Sequence, residues 1–138
     1  MGCTQVILLD THVAIWLNMN DAALGKKSRA MTAAALEGGQ LAISAISFWE
    51  MALLIAKGRL RALDDAHEQR MLMMRAGIRE LPLTGDIAIL AVELENLHAD
   101  PADRFIAATA IAHNATLITA DETLLSCRSK VRRHDAET

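Results

Sequence analysis

Short apolar runs alternate along the chain with stretches whose apolar residues recur at helical spacing. Four runs have the length of buried strands and lie at 5–10, 41–44, 78–83 and 115–121. A fifth strand, at the sheet edge, is predicted at 131–135, where the sequence reads "VRRHD". Continuous rather than alternating apolar runs are typical of strands that helices cover on both faces.

The segments between the strands carry helix start and stop signals. Thr11, Ser47 and Asp100 are predicted N-caps, Pro101 stands at a first helical position, and glycines close several of the helices. The predicted helices cover 11–18, 21–39, 48–58, 64–77, 85–97, 101–114 and 122–127. Strands that alternate with helices predict a single α/β domain over 1–138, with a central parallel β-sheet flanked by helices on both faces.

Composition narrows the class of protein. Hydrophobic residues make up 52% of the 138 residues and charged residues 22%, which is typical of a globular domain rather than a disordered chain. No apolar run is long enough to span a bilayer, and the first ten residues lack the pattern of a signal peptide. The two cysteines form neither a metal-binding pair nor a disulfide framework, which suits a reducing compartment. These features together predict a cytoplasmic protein without membrane contact.

The net charge of −3 gives no overall attraction to a polyanion, so any nucleic-acid binding must use local basic patches. Two such patches are present, "KGRLR" at 57–61 and "CRSKVRRH" at 127–134. Each is compatible either with contacts to an RNA backbone or with an ordinary solvated surface. Trp16 and Trp49 are expected to pack in the core.

Several acidic residues fall at the predicted carboxyl ends of strands, where parallel sheets bind ligands. Asp10 ends the first strand, Asp121 ends the fourth, and Glu50 lies in the first turn of the helix after the second. Asp103 follows the N-cap Asp100 in a helix that precedes a strand, so topology alone places it less firmly. Taken singly, each aspartate is also explained as a helix cap or as a partner of a helix dipole.

Glu50 is different because every other residue from Phe48 to Ala56 is apolar, which predicts a buried helix. A buried carboxylate must be paired with a cation such as arginine or bound to a metal ion. Two carboxylates about 4 Å apart repel by roughly 4 kcal/mol at an effective dielectric constant near 20. A cluster of acids at one rim therefore needs protons or a cation, and oxygen ligands suit Mg²⁺ or Mn²⁺.

Three stretches carry a resemblance to a known family: "VILLDTHVAIWL", "AISAISFWEMALLIAKGRL" and "HADPADRFIAATAIAHNATLITADE". In this order the chain resembles PIN-domain ribonucleases and, among them, the VapC-type toxins of bacterial toxin–antitoxin pairs. The resemblance implies one site with four catalytic acids, and it favours Asp103 over Asp100. These four are Asp10, Glu50, Asp103 and Asp121.

The implied reaction is Mg²⁺- or Mn²⁺-dependent hydrolysis of RNA phosphodiester bonds by an endoribonuclease. Asp10, Asp103 and Asp121 would hold the metal directly or through water, and Glu50 would ligate it or orient a water molecule bound to it. Thr11 and Thr119 are expected to hydrogen-bond the acids, although a cap and a strand end explain them equally. Arg104 would meet a phosphate or remain solvated or ion-paired.

The resemblance also implies partners: an RNA substrate, a cognate antitoxin that inserts a peptide near the acidic rim, and a second copy in a homodimer. Two other functions stay open at this point. One is a catalytically inactive PIN scaffold that binds RNA or protein. The other is a phospho-accepting receiver domain, which is also a small α/β fold with an acidic pocket, although the lysine and the acceptor aspartate that it requires are not evident.

Overall fold

A computed structural model describes residues 5–60, 65–95, 97 and 99–138. Parts of the predicted helices at 64 and 96, and Arg61 of the first basic patch, lie outside the described residues. Within them the strands are β1 (Ile7–Leu9), β2 (Leu41–Ser44), β3 (Arg79–Leu81), β4 (Thr116–Thr119) and β5 (Arg132–Asp135). The helices are α1 (Thr11–Asn18), α2 (Lys26–Glu37), α3 (Ala45–Ala56), α4 (Ala66–Ala76), α5 (Gly85–Glu93), α6 (Pro101–Ala112) and α7 (Glu122–Ser126).

The five strands form one sheet in the order β3-β2-β1-β4-β5, and every neighbouring pair is parallel. This confirms the predicted fold class. Leu8 of β1 lies opposite Ala42 of β2 on one side and Leu117 of β4 on the other. Because the chain leaves β1 for β2 and returns beyond it as β4, strand order reverses beside β1. The carboxyl ends of β1 and β4 therefore flank the crevice in which such sheets bind ligands.

Helices cover both faces of the sheet, as predicted. Ile7 and Leu9 of β1 belong to the core under α1, α2, α3 and α4, whereas Leu8 belongs to the core under α6 and α7. This alternation follows from the two-residue period of a strand. A smaller cluster joins α5 to α6 through Ile87 and Ala108. Burial on both faces explains why these strands are apolar at consecutive positions.

Two helices differ from the prediction at their N-terminal ends. Asp10, whose alternative interpretation was a helix cap, caps α1 in place of Thr11, and its Oδ1 accepts the Thr11 N–H at 2.8 Å. Helix α3 begins at Ala45, three residues earlier than predicted. Ser44, not Ser47, caps α3, and its hydroxyl accepts the Ile46 N–H at 3.2 Å. The prediction of Ser47 as a cap was wrong, and the Ser47 hydroxyl contacts the Thr11 hydroxyl instead.

Helix α2 begins at Lys26, five residues later than predicted. The Asp21 side chain accepts the Ala23 N–H at 2.9 Å, a local bond that competes with helix formation. Gly25 then donates its N–H to the Ala136 carbonyl at 2.9 Å. A Cβ at this glycine would lie 2.3 Å from the main chain of Thr138, so the close approach requires glycine.

Helix α3 is less buried than its composition suggested. Ser47 and Met51 are its buried residues, and Trp49 is 54% exposed. The expectation that Trp49 packs in the core was therefore wrong, whereas the partly buried Trp16 packs against the core. No helix among the described residues combines the length and the apolar character needed to cross a bilayer.

Candidate active site

Three of the predicted acids meet at the carboxyl ends of the strands. Asp10 follows β1, Glu50 lies in α3 and Asp103 lies in the first turn of α6. One carboxylate oxygen from each lies within 4.8 Å of those from the other two. The start of α6 is thus at the same rim as the end of β1. The order of the elements alone did not predict this position for Asp103.

Asp121 lies beside this group and not within it. It caps α7, where its Oδ1 accepts the Leu124 N–H at 3.2 Å, and it lines the same cleft of about 380 Å³. Its charge contributes to the raised pKa of both Asp10 and Asp103. The predicted cap role and a role at the site are therefore compatible for this residue.

Asp10 is the most tightly held of the acids and is only 6% exposed. Its Oδ1 accepts the Thr11 N–H, and its Oδ2 accepts the Thr119 hydroxyl proton at 2.6 Å. Burial raises the pKa of Asp10, and the hydrogen bonds from Thr119 and Thr11 oppose that rise. The two threonines thus fix the orientation of a buried carboxyl group.

Glu50 is oriented by a buried pair of hydroxyl groups. The Thr11 hydroxyl donates to Glu50 Oε1 at 2.5 Å, and Thr11 Oγ1 lies 2.9 Å from Ser47 Oγ. Burial raises the pKa of Glu50, and the negative charges of Asp10 and Asp100 raise it further. Ser47 was not predicted at the site, although its position one helical turn before Glu50 was a usable signal.

Asp103 has a carboxyl group whose pKa is strongly raised. Burial, followed by the charges of Asp10, Asp100, Asp121 and Glu50, raises its pKa to about 8. Among the described residues the one ion pair is Arg70–Glu80, so no arginine or lysine there neutralises the acids. Like charges held together without an arginine or lysine partner leave a place for protons or a metal ion.

The donor set fits a hard divalent cation. Every candidate ligand is a carboxylate oxygen, and the three that converge can contribute one atom each. Cys127, the cysteine among the described residues, is buried and is not part of the cleft. The chemistry of the ligands therefore favours an oxygen-coordinated ion over zinc in a thiolate site.

Comparison with known proteins decides the family. The model of the PIN domain matches residues 7–128 of this chain. The chain belongs to the PIN domain family. This membership excludes the receiver-domain alternative, and it confirms the resemblance on which the four-acid prediction depends.

Relatives of this PIN domain include Ribonuclease VapC22 of Mycobacterium tuberculosis, 35% identical over 88% of this chain and 92% of that protein. A chain in VapBC2 from Rickettsia felis bound to a DNA fragment from the promoter superposes with a TM-score of 0.68 at 16% identity, over 94% of this chain and 98% of the other. A chain in a toxin–antitoxin complex from Klebsiella pneumoniae superposes with a TM-score of 0.54 at 27% identity, over 83% and 86%.

The structure gives Arg104 of this PIN domain a role other than the predicted phosphate contact. Its guanidinium donates hydrogen bonds of 2.6–3.1 Å to main-chain carbonyls at and after the end of α5, those of Ala91, Val92, Leu94 and Leu97. These bonds engage its donor groups, and Arg104 does not line the acidic cleft. We therefore leave it out of the site.

Besides Ala120, three further residues of the PIN domain line the cleft and were missed by sequence reasoning. His12 and Trp16 lie one turn apart on α1, and Glu137 follows β5. His12 and Trp16 are four residues apart, which indicates one face of α1, but neither stands at a helical spacing from Asp10. Glu137 had no local signal, because only the sheet order brings it to this rim.

Proposed function

We propose that this protein is an endoribonuclease of the VapC type and the toxin of a toxin–antitoxin pair. The observation that carries the proposal is the meeting of Asp10, Glu50 and Asp103 within 4.8 Å, with no basic side chain paired to them in the described part of the chain. Its 35% identity to a protein named as a ribonuclease gives the cluster its chemical meaning.

Each acid has a proposed task. Asp10 and Asp103 are direct ligands of a divalent cation, and Asp121, at the edge of the group, is a ligand directly or through water. Glu50, fixed by the Thr11 hydroxyl, accepts a proton from the attacking water or holds that water in line with the scissile phosphate. Thr119 holds Asp10 in the orientation that its ligand role requires.

We propose Mg²⁺ or Mn²⁺ as the cation, since both accept carboxylate oxygens and retain water in their coordination shells. When bound, the cation supplies Lewis acidity and neutralises charge on the phosphate. The residues of the chain supply the ligands, their orientation and the cleft. Loss of a ligand carboxylate would therefore remove cation binding and cleavage together.

The proposed partners follow from the same family. An RNA strand is the substrate, and a cognate antitoxin protein inhibits the enzyme by inserting a peptide at or near the acidic rim. We propose a cytoplasmic location, where such a substrate is available, and a homodimer. The toxin–antitoxin complex from Klebsiella pneumoniae supports the antitoxin, because its matched chain shares 27% of its sequence with this one.

The test is the sequencing of RNA ends after brief expression of the wild type, Asp10→Asn, Asp103→Asn and a matched control, Asp86→Asn. Asp86 is an exposed acid in the first turn of α5, away from the cleft. New RNA ends and growth arrest are expected for the wild type and the control. Each site variant should lower cleavage at least about 100-fold while circular dichroism shows a folded protein.

Full cleavage by both site variants would reject the proposed site. A wild type that binds RNA but shows no carboxylate-dependent Mn²⁺ binding and produces no new ends would instead support the inactive scaffold. Calorimetric titration of wild type and Asp10→Asn with Mn²⁺ separates these outcomes, because the proposal requires carboxylate-dependent binding.

A further inference from the structure

A groove beside the second half of α3 carries two basic side chains at the border of the acidic cleft. We infer that a single strand of RNA enters the site along this groove, with Lys57 and Arg59 binding its phosphates. The inference rests on the proposed function, because it describes the path by which that substrate reaches the acids.

The groove and the acidic cleft adjoin. The groove has a volume of about 250 Å³, and its walls include Trp49, Lys57 and Arg59. Glu50 and Asp100 line both the groove and the cleft. Glu50 and Lys57 are two helical turns apart on one side of α3, a distance of about 10 Å along the helix axis.

The positive charges of the groove are available to a ligand. Lys57 and Arg59 are exposed, and within the described ranges neither side chain has an ion pair or a hydrogen bond. The cleft itself is lined by carboxylates and repels an RNA backbone, and the net charge of the chain is −3. Attraction of the substrate must therefore come from a local basic surface beside the cleft.

The walls of the groove favour a single strand over other polyanions. Trp49 is 54% exposed and lines the groove together with Glu50, Lys57 and Arg59. An aromatic ring offers a stacking surface to any unpaired base. Basic groups that contact phosphates beside such a ring are the usual combination in proteins that bind single-stranded nucleic acid.

The second basic patch lies elsewhere. Arg128 and Lys130 line a groove with Glu93 and Glu95 that also reaches Ile111, near the C-terminal end of α6. Helix α6 is 12 residues long, about 18 Å, and its first turn is the end that meets the acids. The two patches were equivalent by sequence, and the structure separates them: Lys57 and Arg59 adjoin the acids, whereas Arg128 and Lys130 lie near the opposite rim.

The test compares K57A/R59A with R128A/K130A, which removes the same number of charges. Cleavage of a 5′-labelled oligoribonucleotide spanning a cut mapped in the wild type gives KM and kcat. Binding of the same RNA to these pairs in the Asp10→Asn background gives the dependence of the binding constant on salt. For K57A/R59A the log–log salt slope should become shallower by about 1.4, which is roughly 0.7 for each lost phosphate contact.

The same variant should raise KM about 10-fold at moderate salt and change kcat less than about threefold, because the contacts lie outside the reacting group. R128A/K130A should keep the slope and the KM of the wild type. A merely structural role of Lys57 and Arg59 would lower the melting temperature without changing the salt slope.

Unchanged slope and KM in K57A/R59A would overturn the inference, and so would an equal change in both double variants, which indicates a general charge effect. A change in oligomeric mass in place of a change in slope would show that the groove is an interface between copies. A wild type that cuts no RNA would instead overturn the proposed function, and this inference with it.

Discussion

Asp103 stands in the first turn of α6 with the charges of four other acids around it, and its pKa is raised to about 8. In the unfolded chain the same carboxyl group titrates near its ordinary value of 3.8. Between these values the folded protein keeps a proton that the unfolded chain has lost. The free energy of unfolding of the metal-free protein therefore falls as pH rises through this window, and a bound cation opposes that loss.

We expect the metal-free protein in EDTA to melt at a higher temperature at pH 5.5 than at pH 7.5. Asp103→Asn should flatten this dependence, because it removes the repulsion between Asp103 and the other acids. With solvent screening this repulsion is about 1 kcal/mol, so the melting temperature at pH 7.5 should rise by about 3 °C. Thermal melts over this pH range check the effect. Asp86→Asn is the control, and a variant profile identical to that of the wild type would contradict the prediction.

At the scale of the element, one side chain adds hydrogen bonds to the apolar contact between α5 and α6. Arg104 of α6 donates hydrogen bonds to carbonyl groups at and beyond the C-terminal end of α5. The last carbonyls of a helix have no N–H donor within that helix. The Arg104 side chain thereby caps the C-terminal end of α5. The element pair also carries Asp103, so the position of that acid depends on how α6 is held.

Arg104→Ala should lower the free energy of unfolding by about 2–3 kcal/mol, since hydrogen bonds from a charged group are lost and carbonyls are left without donors. Arg104→Lys should recover only part of this, because an ammonium group lacks the fork of donors of a guanidinium. Denaturant unfolding measures both, with the exposed Arg75→Ala of α4 as the matched control. Unchanged stability with a raised KM for RNA would restore the phosphate role first predicted for Arg104.

Sequence patterns predicted the elements of this fold better than their ends. The three central strands, β1, β2 and β4, followed from apolar runs because burial on both faces leaves a plain signal, whereas the edge strands β3 and β5 are polar and partly exposed. The cap of α3 was misplaced because Ser44 and Ser47 are both good caps, and only packing against Thr11 decides between them. Three of the four acids could be placed at the rim by topology, whereas Asp103 needed the family resemblance.

At the scale of the whole molecule, the outer face of α5 is apolar and uncovered. Ile89 and Val92, one turn apart, are 61% and 80% exposed. Large exposed apolar side chains side by side on a helix are typical of protein–protein contacts. This face supports the proposed homodimer, since it lies away from the acidic cleft and leaves the site open to substrate.

Val92→Asp should shift the protein from dimer to monomer and weaken association at least about 10-fold, because a charge would be buried at the contact. Size-exclusion chromatography with light scattering measures the change. Met71→Asp, at an exposed methionine of α4, is the matched control and should keep the mass of the wild type. A wild type that is monomeric at micromolar concentration would contradict the proposed dimer.

The hydrogen bond from Thr119 to Asp10 joins residues that are 109 positions apart in sequence, since β1 and β4 are neighbours in the sheet. A nascent chain on the ribosome contains Asp10 and Glu50 long before β4 has been synthesised to complete the site. Pairings of such long range are also late and slow to form. We therefore expect that the nascent chain cannot cleave RNA until nearly all of it has been translated. This delay gives an inhibitor time to bind.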